Sequence, residues 1–132
     1  MRRQAARIVV ALRHDRLREA VARALEAPGA ISVVGRADDL TGAVDLSRDA
    51  HPDVLVLGAS LLRSDVVRAL RVTVSALPGV SVVVVGTDGT PAFGTAMRAA
   101  GAAEYVALDL GAEALALAVR RVLTKAVPDS AE

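Results

Sequence analysis

The chain has no cysteine and no tryptophan, and its aromatic residues are Phe93 and Tyr105 alone. Without cysteine, disulfides, thiolate zinc sites and cysteine nucleophiles are excluded. So sparse an aromatic set removes the stacking platforms on which single-stranded nucleic acids bind. Charge of one sign is also lacking: 16 Lys and Arg against 15 Asp and Glu leave a formal net charge of +1. That balance gives no general pull toward nucleic acid or an anionic membrane. The histidines, His14 and His51, lie in different elements and read as structural or solvated, and no metal site is expected. Lysine occurs once, at Lys125, while Arg, Ala, Gly and Val abound, the mark of a GC-rich coding bias. The apolar run after the basic Met1-Arg2-Arg3 extends only from Ile8 to Leu12, too short for a signal-peptide core or a bilayer span. A cytoplasmic protein without membrane contact is the expectation.

What is present is a globular pattern. The 132 residues are 53% apolar and 23% charged, enough for one domain with a real core. Short β-branched runs alternate with helical periodicity. Ile8 to Leu12 reads as a strand covered on both faces, followed by a helix that Asp15 caps, with Leu17, Val21, Ala24 and Leu25 on one face. Ala27-Pro28-Gly29 stops it. Ile31 to Val34 is a second strand, and Asp38 or Asp39 caps a helix burying Leu40, Ala43, Val44 and Leu46. Val54 to Leu57 follows the break at His51-Pro52-Asp53. A helix from about Ser64 turns Val67, Leu70 and Val74 inward. Ser81 to Val85, the most apolar segment, is expected at the sheet's centre. Pro91 opens a fourth helix, Gly101 closes it, Glu104 to Leu108 is the last strand, and Glu113 to Lys125 the last helix. Five strands alternating with five helices predict a doubly wound five-stranded parallel sheet of flavodoxin-like (βα)5 type over residues 1–126. Residues 127–132 are a polar tail or the start of a linker.

The carboxyl ends of such strands are where ligands and catalytic groups gather. Here they carry Leu12-Arg13, Gly58, Gly86 and Leu108. The scaffold is that of an enzyme-like fold with its reactive groups missing.

Several short markers stand in order along the chain: Arg18-Glu19, Val33-Val34-Gly35, Pro52-Asp53-Val54, Leu77-Pro78-Gly79-Val80 and Ala100-Gly101-Ala102-Ala103-Glu104-Tyr105. Together they resemble the receiver domain of two-component response regulators, above all the type joined to a helix-turn-helix output domain, over roughly Arg7 to Lys125. In that family an Asp after strand three accepts a phosphoryl group, an acidic pair after strand one holds Mg²⁺, and a Thr or Ser and a Lys meet the phosphoryl oxygens. Carried over position by position, the acidic pair falls on Leu12 and Arg13, the acceptor on Gly58, the hydroxyl residue on Gly86 and the Lys on Leu108. None of the five is of the required type. The loop Ala59 to Val66 also lacks the family's usual Pro and Gly. The resemblance therefore implies an atypical receiver with no phosphoacceptor, no catalytic residue, no metal and no cofactor.

Two further expectations attach to the resemblance. Tyr105 falls on the family's switch aromatic, and with Met97 it is expected on a homodimer face formed by helix 4, strand 5 and helix 5. Arg13, His14, Ser60, Thr87 and Asp88 would border a pocket for a small anion or polar metabolite, unless Leu12 and Leu108 close it with apolar contact. The Arg120-Arg121 pair reads as a solvated face, and the domain itself is not expected to bind nucleic acid. The reading is thus a phosphorylation-independent signalling and interaction domain, not an enzyme, serving as the N-terminal regulatory module of a transcriptional response regulator with a DNA-binding output domain. Its alternatives are a localisation or dimerisation domain of a partitioning-type ATPase and a receiver gated by a small-molecule ligand.

Overall fold

The structure, a computed structural model, describes residues 5–27 and 29–126. The tail expected at 127–132 lies outside them. The elements run β1 (Ala6–Ala11), α1 (Asp15–Glu26), β2 (Ile31–Ala37), α2 (Leu40–Ala50), β3 (Val54–Gly58), α3 (Val66–Ala76), β4 (Ser81–Gly86), α4 (Pro91–Ala99), β5 (Glu104–Ala107) and α5 (Ala112–Ala126). Single 3₁₀ turns, Ala59–Leu62 and Leu108–Leu110, follow β3 and β5. All strand pairings are parallel in the order β2-β1-β3-β4-β5, the flavodoxin-like order.

Period-two alternation divides the strand residues between two cores. Ile8, Val10, Val54, Val56, Val83 and Val85 face α1 and α5, where Val21, Leu25, Leu115 and Val119 meet them. Val9, Leu55, Leu57, Val82 and Val84 face the other way, against Leu70 of α3 and Met97 of α4. Helices on both faces bury β3, nearly all of β4 and the second half of β1, and this explains their continuous apolar runs. The edge strands β2 and β5 stay partly exposed.

Some boundaries move. β2 runs on to Ala37, because a bulge steps its register from Ile8–Val33 to Val9–Gly35, and Glu26 accepts the Val33 N–H at 2.9 Å beside it. α3 starts at Val66, capped by Asp65, whose carboxylate accepts the Arg68 N–H at 3.2 Å. Asp39 caps α2 through the Gly42 N–H at 2.7 Å. Asp15 caps nothing: His14 occupies the cap position, and Asp15 opens the helix and pairs with Arg18. β4 is interior, but the middle strand is β3, since apolar content reports burial on two faces without fixing strand order.

Candidate functional site

The strand order reverses direction between β1 and β3, so the crevice at their carboxyl ends is the expected ligand position. The turn after β1 is fixed from two sides. The Leu12 N–H donates to the Ala37 carbonyl at 3.1 Å, and the Arg18 guanidinium donates to the Leu12 carbonyl at 2.8 Å. Leu12 is thereby turned inward, 3% exposed, over the end of β3. A Cβ at Gly58 would lie 3.1 Å from Leu12 Cδ2, so the hydrocarbon occupies the space beside a side chain that Gly58 does not have. Arg13 points outward, and its guanidinium makes one long bond, 3.5 Å, to the Ser60 carbonyl.

At the end of β4 the side-chain space above Gly86 is filled by a neighbour. A Cβ there would lie 2.8 Å from Tyr105 Oη and 3.1 Å from the Ala59 Cβ. The Tyr105 hydroxyl donates to the Asp88 carbonyl at 2.6 Å, and its ring meets Phe93 edge-on with centroids 5.1 Å apart at 71°. Asp88 Oδ1 accepts from the Thr90 N–H at 2.9 Å and the Thr90 hydroxyl at 2.7 Å; Thr90 in turn caps α4 by accepting the Phe93 N–H at 3.3 Å. Tyr105 is thus held inward by a closed set of loop contacts. Burial, and then the negative charge of Asp88, push the phenol pKa above its ordinary value. The two Thr90 hydrogen bonds hold the Asp88 carboxyl below its ordinary value.

These pieces surround one cleft of about 380 Å³. It brings together all five positions Leu12, Arg13, Gly58, Gly86 and Leu108 with His14, Ser60, Thr87, Asp88 and Tyr105. Leu12 seals Gly58, but Leu12 and Leu108 do not close the cleft. Met97 is not part of it and is not on a surface: it is fully buried between α4 and the sheet. In α4 one turn separates Phe93 from Met97, and the sequence does not say which of them turns fully inward. Arg121 faces solvent but is not simply solvated, since Glu104 joins it and Arg98 at 3.7 Å each across α4, β5 and α5.

Sequence reasoning missed Arg63, which lines the same cleft and ends the 3₁₀ turn at φ 64°, ψ −138°, a conformation L-residues avoid. The missing family glycine in the loop from Ala59 to Val66 was the available signal. The residues do not suit Mg²⁺. The ion requires hard oxygen ligands, and the chain offers a hydrocarbon at Leu12, a cation at Arg13 and no side chain at Gly58. Asp15, Asp88 and Asp109 do not supply them either, for among the described residues no three His, Asp or Glu side chains form a metal-binding group. No helix among those residues is long and apolar enough to cross a membrane.

No family model matches the chain. Its sequence is 30% identical over 116 residues to the response regulator GacA of Pseudomonas aeruginosa, covering 88% of this chain and 54% of that protein. The chain spans about half the length of the curated relatives it matches. The signal receiver domain of NarL from Mycobacterium tuberculosis superposes with TM-score 0.79 at 29% identity, over 94% of this chain and 98% of that one. A two-component response regulator of the LuxR family from Aurantimonas sp. SI85-9A1 gives TM-score 0.83 at 25% identity, over 92% and 87%. Strand order, helix placement, near end-to-end coverage and sequence agree, and the chain is a receiver domain of the response-regulator family.

Proposed function

We propose that this receiver works without phosphorylation, as the regulatory module of a transcriptional regulator in the cytoplasm, transmitting its state through protein contacts rather than catalysis. The observation that carries the reading is the pairing of Gly58 with Leu12. The acceptor position has no side chain, and the residue at the metal-ligand position is folded over it as packing. A phosphoryl transfer to a carboxylate needs a nucleophile and cations to meet the developing charge; the cleft offers no carboxylate at the end of β3. The transcriptional part is supported by relatives about twice the chain's length, one of them named as the transcriptional regulatory protein DegU.

Tyr105 supports a fixed conformation. Its hydroxyl is bonded inward to the Asp88 carbonyl, and the Asp88 carboxylate holds Thr90, so the β4–α4 loop is tied to Tyr105 by contacts internal to the chain. Self-association through the face of α4, β5 and α5 belongs to the same reading, now without Met97. A dimer formed that way has a population set by concentration alone.

Intact mass after treatment with acetyl phosphate and Mg²⁺ tests the central claim. The expected mass is unchanged. A stable gain of one phosphoryl group, mapped to any Asp of the strand-end loops, sinks the reading. Sedimentation over a wide concentration range tests the dimer, and a monomer at the highest concentration removes that part alone.

A further inference from the structure

We propose that the cleft at the ends of β1, β3 and β4 binds a small amphipathic monoanion, with an apolar body of one or two rings and a single acidic group that meets Arg13 and Arg63. The proposal rests on the reading that Gly58 carries no phosphoryl group, since the apolar body would lie against the Leu12 side chain that covers that position. The cleft's 380 Å³ falls in the range of small-molecule sites. Its walls are hydrocarbon: Leu12, Leu17 and Leu108 on one side, Val66 and the Phe93 ring on the other. A bare inorganic anion would be a poor match for such walls, because it would lose hydration against surface that cannot replace it.

The rim supplies the charge. Arg13, His14 and Arg63 border the cleft, and no ion pair among the described residues involves any of them. On their other side Arg13 and Arg63 border a smaller cleft with Asp38 and Asp39. Asp39 is engaged by the Gly42 N–H, and neither acid pairs with the two arginines. Asp88, from the loop after β4, also borders the cleft, with its carboxylate held by Thr90, so a second negative charge on the ligand would be repelled there. That arrangement selects one acid group, oriented toward the β1 and β3 loops.

Arg63 adds an independent reason. It holds φ 64° and ψ −138° although glycine takes that region without cost. Non-glycine residues kept in such conformations cluster at ligand sites, where the side chain's role outweighs the strain. Here the strained residue is a cation on the cleft's rim.

The test uses the whole chain and the probe 1-anilinonaphthalene-8-sulfonate, two ring systems with one acidic group, followed by fluorescence titration. Its neutral counterpart N-phenyl-1-naphthylamine and inorganic phosphate are the comparison arms. The sulfonate is expected to bind saturably at one site and about tenfold or more tighter than the neutral compound, the scale of one charge-assisted hydrogen bond. Phosphate at millimolar concentration is expected not to compete. Arg13→Ala and Arg63→Gly should each weaken the sulfonate about tenfold, while Val72→Ser, in the exposed groove between α2 and α3, leaves it unchanged. Absence of saturable binding, equal binding of the neutral compound, or wild-type affinity in both arginine variants overturns the proposal. Acetyl phosphate treatment of the same sample separates the two readings: an unchanged mass with no probe binding removes the anion site and leaves phosphorylation independence standing, whereas a phosphoryl gain removes the latter.

Discussion

Restoring a side chain at Gly86 is expected to displace Tyr105, and the cost can be worked from the contacts it would break. In Gly86→Ala the new Cβ would stand 2.8 Å from Tyr105 Oη, closer than such atoms approach. The ring end is the movable partner, since the other close neighbour is the Ala59 Cβ at 3.1 Å on the turn after β3. Moving the ring forfeits the 2.6 Å hydroxyl bond to the Asp88 carbonyl and the edge-on contact with Phe93. A net hydrogen bond is worth about 0.5–1.5 kcal/mol and an aromatic pair about 0.5–1.5 kcal/mol. The variant should therefore lose about 1–3 kcal/mol, or roughly 3–10 °C in Tm for a domain of this size.

A double-mutant cycle isolates the cause. Tyr105→Phe alone removes the hydroxyl bond and should cost about 1 kcal/mol. In that background Gly86→Ala loses its worst clash, because Oη is gone and the next ring atom, Cε1, lies at 3.4 Å. The second substitution should then cost well under half of what it costs in the wild type, a coupling of about 1 kcal/mol, measured by urea denaturation. Strict additivity, or a Gly86→Ala protein within about 0.5 kcal/mol of wild type, would refute the claim that Tyr105 fills the space of the missing residue.

Arg63→Gly should stabilise the fold by about 1 kcal/mol, because relief of roughly 1–3 kcal/mol of backbone strain exceeds the added chain entropy of about 0.5–1 kcal/mol; a lower Tm in thermal denaturation would mean the strain argument is wrong. Tyr105 is the single tyrosine in a chain without tryptophan, so phenolate absorbance reads it alone. Its titration midpoint should lie above the ordinary value of about 10. A raised folded-state pKa means that this contribution to stability is complete below the unfolded value and is lost as pH rises through the folded one. Tyr105→Phe should flatten that alkaline decline, and a midpoint at or below the ordinary value contradicts the burial and the Asp88 contact. Asp39→Ala should cost about 1 kcal/mol through loss of the α2 cap, whereas Asp15→Ala, which removes an exposed ion pair, should cost about 0.5 kcal/mol or less in the same denaturation assay; equal losses would mean the cap assignments are mistaken.

Element order was legible because β1 to β4 each hold an apolar run rich in β-branched residues and each helix presents a 3.6-residue apolar stripe. The misread boundaries are those fixed by tertiary contact. Nothing in Gly35-Arg36-Ala37 announces a strand; those residues become one by pairing with Val9-Val10-Ala11 past the bulge. Asp15 has the chemistry of a cap, but the chain enters α1 one residue earlier, and its carboxylate meets Arg18. The positions around the cleft were legible for another reason. In a parallel sheet the register carries every strand end to the same edge, so Leu12, Gly58, Gly86 and Leu108 had to meet there. Side-chain direction had no such guide. Met97 and Tyr105 share a neighbourhood in the sequence pattern, yet one is core and the other hangs over Gly86. The openness of the cleft was likewise hidden, since two leucines can either fill a space or line it.

The location of strain bears on what this domain has been shaped to do. A set of carboxylates gathered at one sheet edge repels itself and costs stability, and functional sites commonly carry such a burden. At β1 and β3 that burden is absent: Leu12 is buried against Gly58, and the local packing is that of core. Had the whole edge relaxed into packing, its backbone would be expected to relax as well. It has not. Among the described residues, His51 and Arg63 are the non-glycine residues with positive φ. His51, at φ 49° and ψ 60°, ends α2 in the ordinary left-handed region that helix termini use. Arg63 lies outside that region, in the loop where the family's glycine is missing, and its side chain borders the cleft that Leu12 leaves open. Packing alone would favour glycine at this position, and the anion contact proposed for its guanidinium would offset that strain.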